Sequence, residues 1–154
     1  MLLAGCFSLL STQCFEDDDG NAPVDNSADI AAIIATAEEG TWRVSSYIDD
    51  GQDETSDYNG FAFTFGTNGT LTATNGNVTK TGTWSVTDDS NSSDDDDSDV
   101  SDIDFNIFFS VPETDDFEDL VDDWDVLTYS NTQIQLRDVS GGDGSIDTLT
   151  FTKI

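Results

Sequence analysis

Residues 61–73 read FAFTFGTNGTLTA, and this stretch decides the fold. Phe61, Phe63 and Phe65 alternate with Ala62 and Thr64 before the chain reaches an Asn-Gly pair. Alternation of this kind places one apolar face of a strand against a core, and Asn-Gly is typical of the tight turn of a β-hairpin. The stretch therefore predicts two antiparallel strands, the second over residues 70–73.

The same pattern recurs along the chain, with turn residues at nearly even spacing. Six further strands are predicted, over residues 42–48, 79–87, 103–109, 124–129, 133–137 and 146–152. Short connections and alternating strands favour an all-β, eight-stranded antiparallel up-and-down barrel, because closing the sheet removes unpaired edges. A two-sheet sandwich is the alternative.

A short N-terminal helix is predicted over residues 28–39. Ile30, Ile33 and Ile34 share one face, Asn26-Ser27 is suited to cap the start, and Gly40 ends the helix. A second, single helical turn is predicted over residues 117–122.

Charge excludes several classes of function. The 154 residues contain 33 Asp plus Glu, 4 Lys plus Arg and no His, giving a formal net charge of -29. Nucleic acids and anionic lipid surfaces are bound mainly through cations, so neither is an expected partner. Without histidine there is no imidazole base and no histidine-ligated metal. We expect no enzyme activity and no cofactor, although a carboxylate pair of the glycosidase type remains a formal alternative.

The first thirteen residues are apolar and uncharged, and an acidic run follows Cys14. Residues 1–13 have the length of a signal-peptide hydrophobic region, and because such peptides normally begin with Lys or Arg, we expect the natural start to lie upstream. Residues 14–27 are expected to form a disordered acidic tether, and residues 28–154 the barrel domain.

The junction at Cys14 resembles a bacterial lipoprotein signal, and the acidic tract after it is similar to the surface-export signal of Bacteroidetes lipoproteins. The resemblance implies lipidation of Cys14, with Cys6 as the alternative acceptor, and anchoring at the outer membrane or cell surface. An ordinary secretory peptide is the remaining interpretation.

Gly40-Thr41-Trp42, at the first strand and after a short helix, resembles the lipocalin Gly-x-Trp motif. Gly82-Thr83-Trp84, Trp124 and the closing Leu149-Thr150-Phe151 are similar to the small lipocalin-like domains of Bacteroidetes lipoproteins. In lipocalins the motif tryptophan closes the barrel floor and a cation near the chain end stacks on it. The resemblance implies the first role for Trp42, and the second for Arg137 or Lys153.

The barrel interior decides between two functions. Eight strands enclose a space that side chains fill, or that holds one small ligand. Alternation directs Trp42, Val44 and Ile48 inward and turns Tyr47 and Phe108 outward. The first hypothesis is a pocket for a small apolar ligand, walled by Phe63, Trp84 and Phe105. The second is a packed barrel that serves as a structural or protein-interaction module. The sequence leaves the oligomeric state open.

Residues 88–102 form a low-complexity acidic loop without any positive charge. No window has the ligand spacing of an EF-hand. A solvated loop is therefore expected and no metal site is predicted, with a Ca²⁺ site as the alternative.

Overall fold

The structure is a computed structural model that describes residues 25–89, 103–139 and 144–154. A single α-helix, α1 (Ser27–Glu38), precedes the sheet, and a 3₁₀ helix spans Thr55–Tyr58. The strands are β1 (Trp42–Asp49), β2 (Gln52–Asp53), β3 (Ala62–Phe65), β4 (Thr70–Thr74), β5 (Thr79–Asp88), β6 (Ile103–Phe109), β7 (Asp122–Ser130), β8 (Gln133–Asp138) and β9 (Asp147–Lys153).

Each strand from β3 to β8 pairs antiparallel with the next, and β9 pairs antiparallel with β1. The ring closes where Trp42 of β1 lies opposite Phe63 of β3. The two-residue β2 only extends the end of β1, so eight strands form the wall. The predicted eight-stranded up-and-down barrel with an N-terminal helix is confirmed, and a single closed sheet excludes the sandwich.

The helix α1 crosses one end of the barrel, which we call the helix end. Ile33 and Ala37 are fully buried, and Ile30 and Ile34 pack partly against the same core. The predicted cap is wrong in detail, because the Asn26 side chain donates to Asp88 at the end of β5 instead of capping α1. The burial of one apolar face of α1 thus joins the helix to the barrel.

A bulge in β1 corrects one predicted face. The pairing of β1 with β9 shifts register between Val44 and Ser46. An extra residue at a bulge reverses the alternation beyond it. Tyr47 consequently points into the core and is buried, while Ile48 is only half-buried, the reverse of the prediction.

The second predicted helical turn, over residues 117–122, is also wrong. Residues 110–121 form three successive turns, closed by hydrogen bonds from Asp115 to Pro112, from Glu118 to Asp115 and from Val121 to Glu118. Asp122 already belongs to β7. We call residues 110–121 the plug loop, because they close the second end of the barrel, the loop end.

Several predictions fall outside the described residues: the signal peptide, Cys6, Cys14, most of the tether, and residues 90–102 of the acidic loop. Within the described chain, no helix is long and apolar enough to cross a bilayer.

Candidate functional site

The Gly-x-Trp segment joins α1 to the barrel at the helix end. Trp42 is fully buried, and its indole N–H donates to the carbonyl oxygen of Ala37 in α1 at 2.9 Å. Gly40 has φ +103°, and a Cβ there would lie 2.8 Å from Cε of Lys153. Glycine is needed at this position for the backbone conformation, whereas the flexible end of the Lys153 side chain could move away from a Cβ.

Lys153 is the cation near Trp42. Its Nζ lies 5.6 Å from the Trp42 ring centroid and 3.4 Å from Oε2 of Glu39. Arg137, the other candidate, lies on β8 opposite Asp125 of β7. The arrangement of Gly40, Trp42 and Lys153 closes an end of the barrel, and its chemistry is that of packing and a cation–π contact.

In the second Gly-x-Trp segment, Gly82-Thr83-Trp84, glycine is required for a different steric reason. A Cβ on Gly82 would lie 2.0 Å from the carbonyl oxygen of Phe108 on the neighbouring strand β6. The Trp84 indole N–H donates to the carbonyl oxygen of Gly66 at 3.0 Å. Glycine at residue 82 therefore permits close packing of β5 on β6, and Trp84 fixes the turn that follows β3.

The three residues predicted to wall a pocket lie in the packed core. Trp84 and Phe105 stack with ring centroids 5.5 Å apart, and Phe65 contacts both, at 5.2 and 5.3 Å. Phe63 lies nearer the loop end, 5.3 Å from Phe151. All three predicted residues are buried, Trp84 being 6% exposed. The structure thus brings Trp84 and Phe105 together and separates Phe63 from them.

Phe117 fills the loop end of the barrel. Its ring contacts four aromatic rings, those of Tyr58, Phe61, Phe63 and Phe109, at centroid distances of 4.9 to 5.9 Å. Leu120 of the same loop is fully buried, and its carbonyl oxygen accepts the indole N–H of Trp124 at 3.2 Å. The plug loop therefore contributes side chains to the core as well as covering it.

Polar contacts fix the plug loop to the barrel. The Tyr58 hydroxyl donates to the carbonyl oxygen of Asp116 at 2.7 Å, and the Tyr47 hydroxyl to that of Asp119 at 3.2 Å. Lys80, on β5, forms an ion pair with Asp115 in the loop. No role was predicted for Lys80 from the sequence. A signal was present, because Lys80 lies between the outward-facing Thr79 and Thr81 of β5, and alternation therefore directs its side chain inward.

The loop end is electrostatically crowded. Burial, then the charge of Asp147 and a hydrogen bond to it, raise the pKa of Asp49, and burial raises the pKa of Asp119. In contrast, the hydrogen bond from Lys80 lowers the pKa of Asp115. Carboxylates here repel one another and are stabilised in the protonated form, except where a cation is in contact.

A groove of about 620 Å³ lies on the outside of the barrel, across β5, β6 and the start of β7. Phe108 stands at its edge with 53% of its surface exposed, which confirms its predicted outward direction. Asp122 and Asp123 form the opposite wall. The groove combines an exposed aromatic ring with carboxylates. We call it the outer groove.

The described residues contain no group of three or more acidic or cysteine side chains arranged to hold a metal ion. Asn26 is their only buried polar or charged residue. The part of the acidic loop beyond Asp89 lies outside this description.

No family model matches the chain, and no curated protein matches it. Among solved structures, the chain is similar to a DUF4847 family protein from Bacteroides vulgatus, with 17% sequence identity and a TM-score of 0.49. The match covers 79% of this chain and 97% of that one. The assignment of the barrel rests on the strand pairing itself.

Proposed function

We propose that this chain is a surface-anchored, non-catalytic lipoprotein whose lipocalin-like barrel is a protein-interaction module. The observation that carries the proposal is the contrast between a filled interior and an exposed aromatic ring outside. Side chains that enter from every strand of the wall are buried, α1 covers one end and Phe117 fills the other. Phe108 remains exposed beside the outer groove.

The filled interior supports this function over the binding of a small apolar molecule. An eight-stranded barrel has room for one small ligand only if its inward side chains leave a gap. Phe65 lies within 5.4 Å of Trp84, Phe105 and Phe151, measured between ring centroids. A ligand at Phe63, Trp84 and Phe105 would have to displace these rings from one another.

The positions of the carboxylates support a non-catalytic role. Glycosidase chemistry needs two carboxyl groups that flank a cleft, one of them usually raised in pKa by burial. In the described chain no acidic residue is buried as a whole, and Asp122, whose pKa is raised by burial, lies beside an open groove on the outer face and not in a cleft.

The lipid anchor rests on the sequence around Cys14. Several acyl chains suffice to hold a protein on a bilayer, since each buried methylene contributes about 0.8 kcal/mol. We expect mass spectrometry of the membrane-bound protein to find the acyl chains on Cys14 at a new N-terminus. Acylation of Cys6, or a mature chain without lipid, would contradict this part of the proposal.

Site-specific photo-cross-linking tests the interaction function. A benzophenone side chain replaces Phe108 in one variant and the exposed Thr64, on the outer face of β3, in a matched control. We expect a discrete cross-linked protein adduct at residue 108 in producing cells and none at residue 64. The proposal fails if residue 108 gives no protein adduct, and saturable 1:1 binding of a fluorescent fatty-acid analogue would then favour an internal pocket.

A further inference from the structure

The outer groove forms where strand pairing ends on one side of β6. Pairing of β6 with β5 continues to Phe109 opposite Gly82, whereas pairing with β7 ends at Ile107 opposite Asp122. Beyond Phe109 the chain leaves β6 for the plug loop, and it re-enters the wall as β7 at Asp122. The groove lies where β6 extends past its pairing with β7. Residues of β5 and β6 line one side of the groove, and the start of β7 lines the other.

The apolar flank of the groove consists of Phe108 and the half-buried Val121. Phe108 lies directly opposite Thr83 on β5, so no large neighbour covers its ring from that side. Burying an exposed phenyl ring favours binding, because apolar surface is removed from water. An exposed aromatic ring next to a groove is typical of the centre of an interface.

The acidic flank is formed by Asp122 and Asp123. Asp122 is half-buried, and its Oδ1 accepts the backbone N–H of Asp123 at 2.8 Å. Burial raises the pKa of Asp122 to about 7, and the neighbouring charges of Asp138 and Asp123 act in the same direction. A cation placed here would oppose that rise, because it stabilises the ionised carboxylate.

The cations of the described chain lie elsewhere. Lys80 is paired with Asp115, Lys153 is paired with Glu39, and Arg137 lies opposite Asp125 on the far side of β7. Arg43 is on β1, and none of the groove-lining residues is a lysine or arginine. Because no groove-lining residue is basic, a partner protein would supply the cation that these carboxylates favour.

Charge selects the kind of partner. A second copy of this chain carries the same net charge of -29 and is repelled, as are nucleic acids and anionic lipids. A neutral apolar molecule would cover Phe108 and leave Asp122 without a counter-ion. A protein segment with a basic residue close to an apolar one can contact the acidic flank and the apolar flank at the same time.

We propose that the outer groove docks an extended segment of a cationic partner protein, in which a lysine or arginine contacts Asp122 and Asp123 while an apolar residue two positions away packs on Phe108. The spacing follows from the strand geometry, since alternate residues of an extended chain lie on the same face. The inference rests on the proposed interaction function and adds the site and the chemistry of the partner.

Isothermal titration calorimetry of the full chain tests the docking. The probe is the capped peptide acetyl-Gly-Lys-Val-Leu-Val-Lys-Gly-amide, and its control is acetyl-Gly-Lys-Ser-Ser-Ser-Lys-Gly-amide, which has the same charge and no apolar side chain. At physiological salt, where long-range attraction is screened beyond about 8 Å, we expect the first to bind at least about tenfold more tightly. Equal affinities would overturn the proposal, because charge alone would then explain binding.

Three variants locate the site. Phe108→Ser and Asp122→Asn are each expected to weaken binding of the apolar peptide about tenfold. Asp50→Asn is the matched control, because it removes one exposed negative charge at the β1–β2 turn, where Asn tolerates the φ of 42°. We expect it to change affinity less than about twofold. Equal losses in Asp122→Asn and Asp50→Asn would overturn the site.

The two proposals fail differently. A cross-link at residue 108 together with equal affinities for the two peptides would leave the interaction function standing and reject the cationic partner. Absence of both the cross-link and peptide binding would reject both.

Discussion

The two ends of the barrel are closed by different means. At the helix end, α1 and the start of β1 are adjacent in sequence, and the Trp42 indole reaches back five residues to the carbonyl oxygen of Ala37. At the loop end, the plug loop meets residues far away in sequence, such as Tyr58 and Lys80. At each end an indole N–H donates to a backbone carbonyl oxygen of the segment that covers that end, and a lysine lies near an aromatic ring.

The two ends of the barrel differ in the solvent exposure of their ion pairs and in the number of carboxylates near them. The helix end is closed mainly by apolar packing, and its ion pair is peripheral, because Glu39 is 76% exposed. The loop end joins an aromatic cluster to carboxylates whose pKa values are raised by burial and by one another. The comparison indicates that the helix end responds little to pH and salt, while the loop end responds to both.

The largest effect is expected at the helix end. Trp42→Ala removes a fully buried indole that contacts both α1 and Lys153, and we expect it to lower the free energy of unfolding by about 4 kcal/mol. Urea denaturation followed by circular dichroism measures the change. Trp42→Phe keeps most of the packing and should lose less than half as much. A loss below about 2 kcal/mol for Trp42→Ala would mean that the helix end does not depend on this residue.

Phe117→Ala is the equivalent test at the loop end. The substitution leaves a cavity among four aromatic rings, and we expect a loss of about 3 kcal/mol. Hydrogen exchange should become faster at the amides of the plug loop before it does so in α1. Phe108→Ala is the control, because its exposed ring should cost less than about 0.5 kcal/mol. Simultaneous acceleration in α1 would show that the two ends are one cooperative unit.

The pH dependence separates the ends further. Asp122 has a pKa of about 7 in the folded chain and an ordinary value of 3.8, so the folded state binds the proton more tightly between these values. Stability contributed by this group is therefore lost as the pH rises from about 4 to about 7. We expect Asp122→Asn to gain about 1 kcal/mol at pH 8, after allowance for its solvent exposure, and nothing at pH 4.

Thermal unfolding at both pH values, with Asp50→Asn as the reference, measures this gain. The same gain at both pH values would contradict the assigned cause, since it would then arise from something other than ionisation of Asp122.

The smallest effects concern the two ion pairs. Asp115→Asn leaves the partly buried Lys80 without its carboxylate and is expected to cost about 1 kcal/mol, whereas Glu39→Gln at the helix end should cost less than about 0.5 kcal/mol. Denaturation at low and high salt checks the pair of variants, and salt should reduce the first loss only in part, because that pair is less exposed. A larger loss for Glu39→Gln would reverse the comparison.

Much of the barrel could be predicted from the sequence because alternation is a local signal. Phe61, Phe63 and Phe65 specify one face of β3, and the Asn-Gly pair specifies the turn that follows. Predicting that the sheet closes, as it does where Trp42 pairs with Phe63, required only the expectation that a sheet avoids unpaired edges.

The remaining features depend on tertiary contacts that alternation does not encode. The bulge after Val44 turns Tyr47 inward, where its hydroxyl reaches the plug loop 72 residues away. The plug loop has no periodicity, and Phe117 enters the core because the barrel mouth is open to it. The outer groove likewise depends on where the pairing of β6 with β7 ends, which no single strand reveals.

The central claim is that binding takes place on the outside of a filled barrel. Backbone amide NMR spectra of the full chain, recorded during titration with the apolar cationic peptide, test this claim directly. We expect the largest shift changes at residues 83–85, 106–108 and 121–123, with amides of the buried Phe63 and Phe105 unchanged. Shift changes concentrated at Phe63 and Phe105 would place the ligand inside the barrel and contradict the account.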